Sequence, residues 1–268
     1  MKYYYLITSL PELNLEDQKP PVTRAEFETK AYDALDGRDK ELFDLLKLRI
    51  DNQNLTTILS DGSNVKTNGN FDGEDLKERI KYQYGLPRYM LDLLTVQDDK
   101  SGKLKEDVLW ELYLDYCMKK NTFLKQYFTF DRNIKNIIIK ASLRKTNTPF
   151  ADKIINSDDM VTESIMHSNM QDFGLGRGMP YINRIIEFLE QKQYFEMEQY
   201  IDILRFEIID DINRFNYFNI EHVLGYSLKL EILERWAALN DKKGTQYLWA
   251  LSGKDLDNKD LYKFELTQ

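Results

Sequence analysis

Residues 218–236, FNIEHVLGYSLKLEILERW, decide how the rest of the chain is read. Wound at about 3.6 residues per turn, Val223, Tyr226, Leu230, Leu233 and Ala237 fall on one face at alternating steps of three and four, which is the pattern of a buried helical seam. Ile220, Leu224, Leu228, Ile232 and Trp236 widen that apolar surface beside Glu221, His222, Lys229, Glu231, Glu234 and Arg235. A helix of this composition is expected to pack on more than one side. Asn219 is placed to cap its amino end, Glu221 suits the positive pole there, and Glu231 stands one turn before Arg235 as an ion-pair partner. Periodicity predicts a core helix and, by itself, no chemistry.

Composition extends this to the whole chain. Of 268 residues, 42% are apolar and 31% charged, with only 12 Gly and 6 Pro, a mix that favours helices with short connections and predicts an all-α, multi-helix bundle. The length allows well over half of the unfolded surface to be buried. The 17 Tyr and 14 Phe supply contact area suited equally to cores and to subunit interfaces. A net charge of −8 argues against a nucleic-acid partner, which needs concentrated Lys and Arg, and makes a basic protein surface the fitting companion. No apolar run approaches the roughly 20 residues that cross a bilayer. The amino terminus lacks the charged-then-apolar form of a signal peptide, so a cytoplasmic chain without a membrane span is expected. Cys117, the single cysteine, lies within LWELYLDYCMKK with no histidine near it and reads as a buried structural thiol.

In chain order, residues 2–10 are β-prone, yet a lone strand has nothing to pair with, so an extended or first-turn segment that docks its aromatics is expected. Thr23 and Glu26 form a capping-box pattern at the start of a helix over 24–35. A second helix is expected over 39–52 with Leu42, Leu45, Leu46, Arg49 and Ile50 on its face. Residues 52–73, rich in Asn, Asp, Ser, Thr and Gly, read as an exposed loop that contacts little. Further helices are expected over 72–84 with Gly85 as its stop, from Pro87, over 104–120, over 121–145 with a break near Thr129, and over 159–170, 180–193 and 196–213. The total is nine to eleven. Residues 253–268 are polar enough for a loosely held tail.

Patterns that carry chemistry are sparse. Gly174–Gly178, GLGRG, lacks the preceding strand and the following Lys-Ser/Thr of a phosphate loop and is read as a joint, with Arg177 as a docking residue. Aligning Gly102 or Gly73 with the sixth place of a calcium loop puts Val108 or Arg79 where a carboxylate belongs. His167 and His222 have no ligand-spaced companion, so zinc is not expected. Asp158-Asp159 and Asp210-Asp211 are adjacent pairs that point apart on a helix and read as caps or solvated faces. No catalytic residue, metal or cofactor is expected.

A second stretch, residues 130–145, FDRNIKNIIIKASLRK, carries an apolar seam of Ile134, Ile137, Ile138 and Ala141 among polar residues. Together with residues 218–236 it resembles the C subunit of the rotary vacuolar/archaeal-type (V/A-type) ATPases, known in eukaryotes as the d subunit. Glu221, Tyr226, Glu231 and Glu234 stand where that family places an acid, an apolar-Tyr step and an acidic pair. Asp131, Asn133, Lys135 and Arg144 resemble its Asp-x-x-Asn-like helix ending in a basic residue, although the spacing here is Asp-x-Asn. The opening YYYLITSLPEL is similar to that of a short bacterial version of the same family. The resemblance implies two pseudo-equivalent helical lobes, about 1–122 and 123–252, around a funnel, and a non-catalytic rotor part between the central-stalk subunits and the membrane proteolipid ring. The same residues also have an ordinary reading: Asp131, Asn133, Glu221 and Glu231 as caps or surface acids, Tyr226 as core, and Arg144 with Lys145 as complements to a helix carboxyl pole. A generic helical scaffold that binds a basic partner is the reading from a second class, and an enzyme with an unrecognised pocket that from a third.

Overall fold

The computed structural model describes residues 2–17, 19–60, 62, 65–95, 105–145, 148–151 and 153–240, and among these it contains eleven helices and no strand. They are α1 (Tyr4–Thr8), α2 (Arg24–Ala34), α3 (Gly37–Leu59), α4 (Gly73–Tyr82), α5 (Arg88–Thr95), α6 (Lys105–Met118), α7 (Thr122–Lys145), α8 (Met160–His167), α9 (Tyr181–Glu190), α10 (Tyr194–Asn213) and α11 (Ile220–Asn240). The protein is an all-α, multi-helix bundle. Residues 98–102, a polar stretch that reads as a turn between the helices expected from Pro87 and over 104–120, and the tail expected at 253–268 lie outside the described residues.

Caps set many of the boundaries. Thr23 Oγ1 accepts from Glu26 N while the Glu26 carboxylate accepts from Thr23 N at 3.0 Å, completing the capping box at α2. Asp72 Oδ1 accepts from the backbone N–H groups of Glu74 and Asp75, both at 2.9 Å, and Asp159 Oδ1 accepts from Thr162 N at 2.8 Å. Asn121 Oδ1 accepts from Phe123 N at 2.7 Å and opens α7. Residues 4–8 are helical, the second of the two forms expected, with Tyr3 and Leu6 turned inward and Tyr5 left exposed. α7 continues through Thr129 without the expected break. The Asp131 carboxylate is engaged by Arg205 on another helix and so does not begin a new one.

The chain divides into two units. One comprises Met1–Leu35 with the chain from Thr129 onward, and the other comprises Asp36–Phe128. The family resemblance implies lobes of about 1–122 and 123–252 within a single helical domain spanning 1–268, whereas here the first 35 residues group with the carboxy-terminal half. The contacts responsible lie between α2 and α11: the Phe27 and Tyr226 rings are 4.9 Å apart, and Glu234 Oε1 accepts from Arg24 N at 2.8 Å. A carboxylate from α11 therefore caps the positive pole of α2.

In the 36–128 unit, α3 packs on α4 and α6, and α5 packs on α6. Phe43, Leu55, Leu76, Met90, Leu109, Tyr113, Leu114, Cys117, Phe123 and Leu124 are all but inaccessible to solvent. Burial pushes the Cys117 thiol up to about 12, which keeps it protonated. α3 is longer than the expected helix over 39–52 and runs to Leu59, and the loop after it is tied down. Asp51, fully buried, accepts from the backbone N–H groups of Asn70 and Phe71 and from Asn70 Nδ2 at 2.9 Å. Asn54 accepts from Lys66 N at 2.8 Å and donates to Lys66 O at 2.9 Å. A Cβ at Gly69 would fall 2.1 Å from Asp51 Oδ1, so only glycine lets the loop approach this closely. The reading of 52–73 as a stretch that contacts little is thus corrected, because two buried polar side chains of α3 supply backbone partners that a loop otherwise finds in water. Asp51→Ala is expected to cost about 1–3 kcal/mol, because it removes the acceptor of the half-buried Asn70 and Phe71 backbone N–H groups, while Asn70 Nδ2 keeps Asp44 O. Urea unfolding measures the loss, and limited proteolysis is expected to cut first within residues 65–71.

Candidate functional site

The stretch that forms α7 places Arg132, Asn136, Lys140 and Arg144 at successive steps of four, so they follow one another along the helix. Each holds a point on the segment that comes after it. The Arg132 guanidinium pairs with Asp159. Asn136 donates to Ile155 O and accepts from Ile155 N, both at 2.9 Å. Lys140 Nζ donates to the carbonyls of Ile165, Met166 and Ser168, the last at 2.8 Å. Arg144 Nη2 donates to Met170 O at 2.8 Å. The apolar face beside this stripe, with Ile134, Ile137, Ile139 and Leu143, joins Ile154, Ile165, Phe173, Ile182 and Ile185 in one core.

Lys140 serves as a carboxyl-end cap for α8, since its ammonium meets carbonyls that have no partner within the helix. Its Nζ also lies 4.8 Å and 5.3 Å from the ring centroids of Phe150 and Phe173. Burial holds its pKa below the usual lysine range, and the nearby Arg144 adds to this. Phe173 is buried at φ +58, and residues 170–179 form a run of hydrogen-bonded turns around it. The segment read as a joint is thus anchored on a buried ring.

On the neighbouring side of α7, Asp131 Oδ1 accepts from Arg205 Nε at 2.9 Å and Nη2 at 2.7 Å. Arg205 Nη1 donates to Asp202 Oδ1 at 3.0 Å, and Asp202 Oδ2 accepts from the Arg235 guanidinium and from Trp236 Nε1 at 2.7 Å. Asp202 is 1% exposed. Acid, base, acid and base alternate from α7 through α10 to α11, and both oxygens of the buried carboxylate are met by donors. Arg235, expected to face Glu231, is engaged here by Asp202.

The structure thus joins Asp131 of one family-resembling stretch to Arg235 and Trp236 of the other through α10. Asn133 and Lys135 are buried on α7, and Glu231 is half-buried on α11. Tyr226 is core, as its seam position predicts, and its hydroxyl donates to Pro11 O at 3.1 Å. Burial pushes that phenol up to about 12. Glu221 lies in the first turn of α11, where its carbonyl accepts from Asn213 Nδ2. Asn219 does not cap α11 as expected: its Oδ1 is buried without a hydrogen bond and its amide donates to Asn216 Oδ1. Arg177 is exposed in the 174–178 turns. Periodicity misses Asp202, Arg205 and Lys140, although Asp202 and Arg205 stand one turn apart on α10 and the four-residue stripe is visible in residues 130–145. Among the described residues no group of three or more His, Cys, Asp or Glu is placed to hold a metal ion, and no helix is long and apolar enough to cross a membrane. What this arrangement does physically is lock three helices in register.

The chain belongs to the family described as protein of unknown function DUF2764, whose model matches residues 1–252. No curated protein and no solved structure matches it.

Two outcomes follow from the geometry. Asp202→Ala is expected to destabilise the protein by about 2–4 kcal/mol, because half-buried Arg235 and the Trp236 Nε1–H lose the carboxylate they share, while Arg205 keeps Asp131; chemical denaturation reads this directly. Although burial works to raise the Asp159 pKa, hydrogen bonds from Thr162 and Ser157 and the charge of Arg132 hold it below the ordinary value of 3.8. A carboxylate with a lowered folded-state pKa stabilises above its unfolded value, and that contribution disappears as pH falls through the folded one. Asp159→Asn should therefore be less stable than wild type at neutral pH, and thermal melts should show the gap closing below about pH 3.8.

Proposed function

We propose that this chain is a non-catalytic coupling component in the central rotor of a V-type ATPase, linking the central stalk to the membrane proteolipid ring during ion transport. The observation that supports this reading is that the two stretches carrying the family resemblance, on α7 and α11, are tied to each other through α10 by the chain Asp131, Arg205, Asp202, Arg235. A rotor part must carry torque without letting its helices slide. Close-packed side chains resist deformation, and a directional ion-pair chain adds a penalty for slippage, since a displacement of one helical turn would leave buried charges unpaired. On this reading no bond is made or broken by the chain. It resides in the cytoplasm and meets the membrane through its complex, and exposed Arg177 together with Glu221 and Glu231 are candidate contacts with the stalk and ring.

The test is co-expression with stalk and ring subunits followed by affinity purification in mild detergent. The tagged chain is expected to retain both, and Arg177→Glu is expected to lower retention several-fold without moving the thermal midpoint. Recovery of the tagged chain with neither stalk nor ring subunits would overturn the proposal.

A further inference from the structure

We draw no further inference here: the strongest candidate, the side-chain cluster at the amino end of α8 where the buried Arg132 Nε stands without a hydrogen bond, belongs to the α7 stripe already described, and the Asp159 carboxylate itself caps that helix end and pairs with the guanidinium, so nothing there points to a ligand.

Discussion

The Asp202 carboxylate is the constraint from which the carboxy-terminal packing follows. Buried, it needs donors on both oxygens, and it takes them from its own helix through Arg205 and from α11 through Arg235 and Trp236. Arg205 has donors to spare and commits two of them to Asp131 on α7. Apolar contacts between helices tolerate small sliding, because one methyl group replaces another at similar cost. A buried carboxylate shared by two guanidiniums does not, since every alternative register leaves a charge without its partner. Hydrophobic burial draws α7, α10 and α11 together, and this ionic chain selects one arrangement among those that burial allows.

The same logic recurs where the chain is irregular. The α7 stripe of Arg132, Asn136, Lys140 and Arg144 gives partners to backbone and carboxylate groups from Ile155 to Met170, so a segment with a single two-turn helix is held along its length. In the other unit Asp51 and Asn54 do this for residues 66–71. In both places a long helix carries polar side chains on a buried face, and Asn136, Lys140, Asp51 and Asn54 are answered by backbone groups of the segment that follows. Such side chains look like errors in an amphipathic pattern until the loop is in place.

This explains which parts of the chain were legible. The Thr23–Glu26 box and the caps at Asp72 and Asp159 are local, each needing only a side chain and an amide two or three residues away, and they stand where the sequence put them. The α11 seam was readable because burial repeats with the helical period: Val223, Tyr226, Leu230 and Leu233 are buried, and Ala237 at its end is half-buried. Asn219 had the right residue type for a cap, but its amide is engaged by Asn216, a choice made by the fold of the preceding turn. Thr129 and Asp131 had the right types for a helix start, yet Arg205, 74 positions away, claimed the carboxylate. The family-resembling residues divide in the same manner: Tyr226 was placed by periodicity, while the union of Asp131 with the 218–236 helix was invisible until α10 stood between them.

The sequence by itself determined an all-α protein, the identity of most helices, their local caps and the apolar faces they bury, since all of these depend on residues within about one or two helical turns of each other. Only the tertiary structure decided that residues 1–35 fold with the carboxy-terminal half, that the loop after α3 is fastened to Asp51, and that Asp131 is joined to α11 through Arg205, Asp202 and Arg235. Those outcomes rest on hydrogen bonds, charge pairing and ring contacts between positions up to 215 residues apart, as in the bond from Tyr226 to Pro11. A periodic pattern records which side of a helix is buried; it holds no information about which distant segment does the burying.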